Sequence, residues 1–167
     1  MRKFAVIIAF LLFAAAAAGA ETVLLYIGDG AGNGPVFRQC MPISAAIEDG
    51  VMNEYFENGH IIFNAGVKAA AGYPEPPGST EPLPVRIAKA GGASYLLEVE
   101  MIYNLREGEL QPSDFQAGYI FSNVHSSKVL QRGSFSSKSI GSEEAPGPEE
   151  SGYRLGQMLA RETLAIW

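Results

Sequence analysis

The chain has 167 residues, 47% of them apolar, and carries twelve basic against eighteen acidic side chains for a formal charge of −6. That is enough for one domain with a real core and short for two. The acid excess, with Lys128, Arg132 and Lys138 dispersed among serines, excludes a nucleic-acid binder that tracks phosphates through clustered Lys and Arg.

The first twenty residues read as a leader. Arg2 and Lys3 form a positive n-region, Phe4 to Phe13 an apolar h-region, and Ala18-Gly19-Ala20 an A-x-A cleavage site. The pattern predicts residues 1–20 as a signal peptide cut before Glu21, and an exported protein with no membrane span after cleavage. A membrane anchor is the competing reading. The apolar stretch from Phe4 to Ala20 sits at the short limit for crossing a bilayer, and half of it is weakly hydrophobic alanine. Removal of the leader takes away Arg2 and Lys3 and leaves a formal charge of −8. The single cysteine, Cys40, does not follow the cleavage site directly, so no lipid anchor is expected. One thiol cannot close an internal disulfide, and burial as a small hydrophobe is its expected state.

Residues 21–167 are expected to form one α/β domain. Thr22 to Ile27 is a near-continuous β-prone run, suited to a strand covered on both faces. Gly28 to Pro42 reads as a loop with four glycines and two prolines. Ser44 is placed to cap a helix whose apolar stripe is Ile47, Val51 and Tyr55, with Met52 and Phe56 beside it. Glu48, Asp49, Glu54 and Glu57 read as its solvated side. Gly59 ends it by a left-handed backbone, and Ile61-Ile62-Phe63 reads as a buried strand.

The chain then loosens. Residues 72–84 hold five of the ten prolines and read as an exposed connection. Pro84 to Ala90 is a short helix closed by Gly91-Gly92. Ser94 to Leu105 alternates, with Tyr95, Leu97, Val99, Met101 and Tyr103 facing a core. Phe115 to Val124 alternates likewise, and Val129 to Ser136 is a third strand. Short turns make the three an antiparallel meander. Residues 137–152, rich in Ser, Gly, Pro and Glu, read as a loop. Tyr153 to Ile166 is a final helix with Leu155, Leu159 and Ile166 buried, and with Gly152 and Gly156 allowing close approach to a sheet. The order β-α-β-α-β-β-β-α predicts a mixed sheet of about five strands with helices packed on it.

Candidate chemistry is sparse. The loop Gly28 to Gly34 follows a strand and delivers Asp29 among glycines, where backbone amides can approach an anion. Ile27-Gly28-Asp29-Gly30-Ala31-Gly32 resembles the Ile-Gly-Asp-Gly-Met-Gly opening of alkaline phosphatases, which implies a metal-ligand role for Asp29. A two-metal site needs several more His and Asp, and the chain has only His60 and His125. No Gly-Lys-Ser or Gly-Lys-Thr marks a P-loop, and Pro35 stands where a dinucleotide-binding helix would begin. His60 and His125 have no ligand partners at metal spacing. Asp114 and His125 could join a serine triad on paper, but no Gly-x-Ser-x-Gly elbow supports it. Glu98 and Glu100 share a strand face and read as its solvated side. Trp167 is an aromatic last residue, but too few alternating strands exist for a membrane barrel.

The segment Ile87-Ala-Lys-Ala-Gly-Gly-Ala-Ser-Tyr-Leu-Leu-Glu-Val resembles the helix, Gly-Ala-Asp-Tyr-Leu-Leu and strand of a bacterial envelope group. That group comprises CsgG, LpoB and the TolB amino-terminal domain. Ser94 stands where the group has Asp. The resemblance implies a periplasmic or otherwise exported, non-enzymatic domain that binds another cell-envelope protein, with no catalytic residue and no cofactor. The alternative class is a small metal- or phosphate-binding protein or hydrolase using Asp29 and its loop.

Overall fold

A computed structural model describes residues 21–29, 35–65, 80–104, 114–140 and 147–167. The leader with Ala18 and Ala20, the loop from 30 to 34, the Pro-rich stretch 72–79, the expected turn before Asp114 and residues 141–146 lie outside the described residues.

The fold is α/β, as expected: among the described residues, a five-stranded mixed sheet with three helices packed on it. The strands are β1 (Thr22–Asp29), β2 (Ile61–Asn64), β3 (Tyr95–Asn104), β4 (Asp114–Asn123) and β5 (Val129–Ser136). Helix α1 is Pro35–Glu57, α2 is Leu83–Ala90 and α3 is Pro148–Leu164. The sheet order is β2-β1-β3-β4-β5. β1 runs parallel to both neighbours, and β3, β4 and β5 form the antiparallel meander.

Strand parity decides the layers. Val23 and Leu25 face α1 and α3 together with Leu97, Val99, Met101, Phe115, Ala117 and Phe121, all buried. Leu24 and Leu96 point the other way, onto Ile87 and Ala88 of α2. Val23, Leu24 and Leu25 are thus covered on both faces, which is why that run carries no polar residue. Helix α2 covers only one end of the second face. Further along, that face presents Glu98, Glu100, Ile102 and Ile120 instead of a packed layer.

Several expectations need correction. The loop expected from Gly28 to Pro42 is in part helix, because α1 begins at Pro35 and runs through Pro42. Pro42 is exposed, and its missing N–H costs one bond that a helix of 23 residues tolerates. Ser44 is therefore not a cap. It lies inside the helix and hydrogen-bonds the hydroxyl of Tyr103. Ile61-Ile62-Phe63 is not a buried strand, since β2 is the edge of the sheet and Ile61 is 53% exposed. Phe56 is 78% exposed and does not belong to the core stripe that Ile47, Val51 and Tyr55 form. Glu54 is buried rather than solvated, held by Arg161 in a paired contact at 2.9 and 3.0 Å.

The loop expected over 137–152 holds a 3₁₀ turn at Ser137–Ser139 and the first residues of α3. Pro148 opens that helix, with Glu149 and Glu150 in its first turn. Ile166 lies beyond the helix and is largely exposed. Gly152 and Gly156 approach helix α1 rather than the sheet. A Cβ on Gly156 would fall inside the carbonyl of Ile47, one on Gly50 inside that of Tyr153, and one on Gly152 would meet the Ile43 carbonyl oxygen at 3.0 Å. Ile43 faces Gly152, Ile47 faces Gly156 and Tyr55 reaches Thr163, so α1 and α3 run parallel.

Candidate interaction surfaces

Helix α1 reaches the sheet edge through a tight stop. The amide of His60 donates to the Tyr55 carbonyl at 3.1 Å, and Gly59 holds φ +80. This turn lays β2 against β1 and leaves the other edge of β2 without a strand partner among the described residues. Asp49, Met52, Phe56, His60, Ile61 and Tyr153 line a groove of about 720 Å³ there. Phe56 and Ile61 put large apolar groups into solvent beside this edge. Glu48 hydrogen-bonds Asn64 at the far end of β2, and burial pushes its carboxyl up despite that bond.

Behind the groove lies an aromatic cluster. The Trp167 ring sits 4.2 Å from His60, 5.2 Å from Tyr95 and 5.9 Å from Phe121. The Tyr95 hydroxyl donates to Glu21 at 3.1 Å. Burial lowers the pKa of His60, with the Glu21 carboxylate opposing. His60 is thus a packed ring at a helix stop. His125 is exposed in the β4–β5 turn, where its amide donates to Oδ1 of Asn123.

The second surface is the part of the sheet that α2 leaves bare. Tyr26, Glu98, Ile120 and Arg132 stand in one register row across β1, β3, β4 and β5. Gly28, Glu100, Gly118 and Ser134 form the next row. A cavity of about 580 Å³ lies over them. Burial raises the pKa of Glu98.

Asp29 ends β1 opposite Met101, and its side chain lies outside what the structure describes. Among the described residues no group of three His, Cys, Asp or Glu could hold a metal ion. Asp114 pairs with Lys138 and with Asn104, far from any role beside His125. Cys40 is buried, as expected of a lone thiol. No described helix is long and apolar enough to cross a membrane. The groove was missed in the sequence because Phe56 falls one residue from the Tyr55 stripe and Ile61 heads an apolar run.

No protein-family model and no curated protein matches the chain. Solved structures do. The hypothetical protein CT253 of Chlamydia trachomatis is similar over 88% of this chain and 98% of its own, at TM-score 0.51 and 12% identity. Lipoprotein GNA1162 of Neisseria meningitidis matches 87% of this chain and 97% of its own, at 0.44 and 17% identity. TolB of Acinetobacter baumannii, of the envelope group named above, matches 87% of this chain and 28% of its own, at 0.42 and 9% identity. At these identities the likeness to CT253 is one of fold, and the two lower scores carry no argument.

Proposed function

We propose that the chain is an exported, non-enzymatic protein-interaction module of the cell envelope, which binds another envelope protein along the β2 edge. The observation that carries this reading is the exposure of Phe56 and Ile61 beside an edge strand that has no outer partner among the described residues. An open edge supplies backbone donors and acceptors to an incoming extended segment, and flanking apolar groups supply desolvation. The leader pattern supports export, and the Ile87 to Val99 segment supports the envelope setting. The test is a photo-cross-linking amino acid at Phe56 in intact cells, with one at exposed Lys138 as control. Capture of an envelope protein from Phe56 and not from Lys138 supports the reading. Equal capture from both, or none, overturns it.

A further inference from the structure

The backbone of β2 fixes what its open edge can take. The Ala65 amide donates to the Leu25 carbonyl at 3.2 Å, so Ala65 turns its backbone toward β1. Successive residues of a strand turn their backbone groups to opposite sides. Ile61 and Phe63 therefore face β1, while the N–H and C=O of Ile62 and Asn64 point out along the edge that has no strand partner among the described residues. Side chains alternate across the sheet in the same way. Ile62 packs with the cluster under α1 and α3, and Phe63 with the cluster under α2. Asn64 faces α1, since it bonds Glu48. The two residues that offer backbone bonds are thus the two whose side chains face the groove.

The groove is graded along this edge. The bond from Asn64 to Glu48 holds the end of β2 beside the middle of α1. The His60 amide on the Tyr55 carbonyl holds its start beside the end of α1. Helix and strand therefore run in opposite directions. Glu48 and Asp49 stand level with Asn64, and Met52 and Phe56 with Ile62 and Ile61. Asp49 is exposed and forms no ion pair among the described residues. Burial pushes the pKa of Glu48 up, the Asn64 bond opposes it, and the Asp49 carboxylate adds to the rise. Two adjacent carboxylates, one of them half-buried, gain from a cation that brings its own donors.

We infer that the occupant of this edge is an extended segment of a partner protein, paired antiparallel to β2, with a Lys or Arg opposite Asn64 and apolar residues opposite Ile62 and Ile61. From its amino end the segment is basic, any residue, apolar, apolar. Antiparallel pairing suits so short an edge. Ile62 and Asn64 then each exchange both backbone bonds with the residue directly opposite, whereas parallel pairing slants the same bonds over a longer segment. The main-chain bonds supply affinity, and the alternate side chains supply choice. Directly opposite residues share a face, so the cation arrives at Glu48 and Asp49 and the first apolar side chain at Met52 and Phe56. The second apolar side chain covers Ile61, which is 53% exposed. A second copy fits poorly. Residues 57–65 hold no Lys or Arg, and a chain of net charge −6 would bring more acid to the same place. The inference rests on the reading that the β2 edge binds protein, and it adds the partner's chemistry and direction.

The test uses the purified chain and the capped peptide Ser-Lys-Thr-Ile-Val-Thr-Ser, followed by amide shifts and hydrogen exchange in NMR. Shifts centred on Ile62 and Asn64, with slowed exchange of both amides, are expected. Affinity should fall about fivefold in Asp49→Asn and for the peptide with Gln in place of Lys. Combining the two changes should weaken binding little further, because both remove the same contact. Asp49 is exposed, so Asp49→Asn keeps the fold. The peptide in reverse order, and one methylated on its isoleucine nitrogen, should not slow exchange at Ile62 and Asn64. Equal binding of the two orders, indifference to Asp49→Asn, or absence of shifts at Ile62 and Asn64 overturns the inference. So does concentration-dependent protection of those amides without peptide, which makes a second copy the occupant. Capture from Phe56 that survives Asp49→Asn combined with Glu48→Gln overturns this chemistry and leaves the edge as an interface. Peptide binding in the stated order, with no capture from Phe56, supports the chemistry and overturns its use in the envelope.

Discussion

The hydroxyl of Tyr55 lies 2.8 Å from Oγ1 of Thr163, joining two fully buried residues on parallel helices. Thr163 has one proton, and the carbonyls of Leu159 and Ala160 stand 3.1 and 2.9 Å from its oxygen to receive it. Tyr55 is therefore the donor and Thr163 the acceptor. The two deletions are unequal for that reason. Thr163→Val leaves a buried phenol without an acceptor and should cost about 1–3 kcal/mol, whereas Tyr55→Phe leaves Thr163 satisfied and should cost about 0.5–1.5 kcal/mol. Urea unfolding of both variants checks the order, and a larger loss in Tyr55→Phe would refute the assignment.

Gly156→Ala should destabilise at the upper end of overpacking costs, about 3 kcal/mol, because the new methyl meets the Ile47 carbonyl and the Val51 nitrogen. Gly147→Ala, where nothing lies within 4 Å, should be close to neutral. Thermal midpoints of the pair measure the contrast.

Glu54 and Arg161 form a two-pronged ion pair in which the carboxylate is buried and the guanidinium is mostly exposed. Arg161→Ala strands a buried charge, while Glu54→Gln leaves a solvated one. The first should lower the unfolding midpoint more than the second. Equal losses would show that the pair contributes only through packing.

His60 sets one acid response, and Glu98, together with Glu48, the opposite one. His60 is held below its usual value by burial. Below its unfolded pKa of 6.5 the unfolded chain takes the proton first, so stability is lost as pH falls. Glu98 is held above its usual value by burial, so the folded chain takes that proton first and stability is gained as pH falls through the raised value. His60→Gln should flatten the loss, and Glu98→Gln the gain. At the alkaline end Tyr55, pushed up to about 12, should cost stability as pH rises above 10. Denaturant midpoints from pH 4 to 11, compared between these variants and the parent, resolve the His60, Glu98 and Tyr55 contributions.

Phe56→Asp should leave the melting temperature nearly unchanged, because the ring is mostly in solvent. The same change should abolish partner capture in cells. A folded variant that still captures the partner would remove the groove from the interface.

The sheet was legible because its signals are strong and local. Period-two alternation from Tyr95 to Tyr103 and Phe115 to Phe121 gave both strands and their inward faces, and the unbroken apolar run at Val23 gave the doubly covered strand. What failed depended on a neighbour distant in sequence. Nothing near Glu54 announces Arg161, and nothing near Gly156 announces the carbonyl of Ile47. Pro42 was read as a breaker because a local rule weighs a lost N–H against one turn, not against a long helix docked on a second one. Ile61 read as core because an apolar edge strand and an apolar central strand share a composition, and only the sheet order tells them apart.

The parallel run of α1 and α3 has an electrostatic corollary. Antiparallel neighbours cancel their peptide dipoles, but these two add. Each helix end carries roughly half a negative elementary charge, and both ends lie where Tyr55 meets Thr163 and His60 meets Trp167. Of these two, α3 alone has a basic residue in its last turn, and Arg161 is spent on Glu54. The groove beside Phe56 therefore opens at a standing negative pole, felt over about one Debye length, so a partner of the proposed kind would be sorted by charge before it is read by shape.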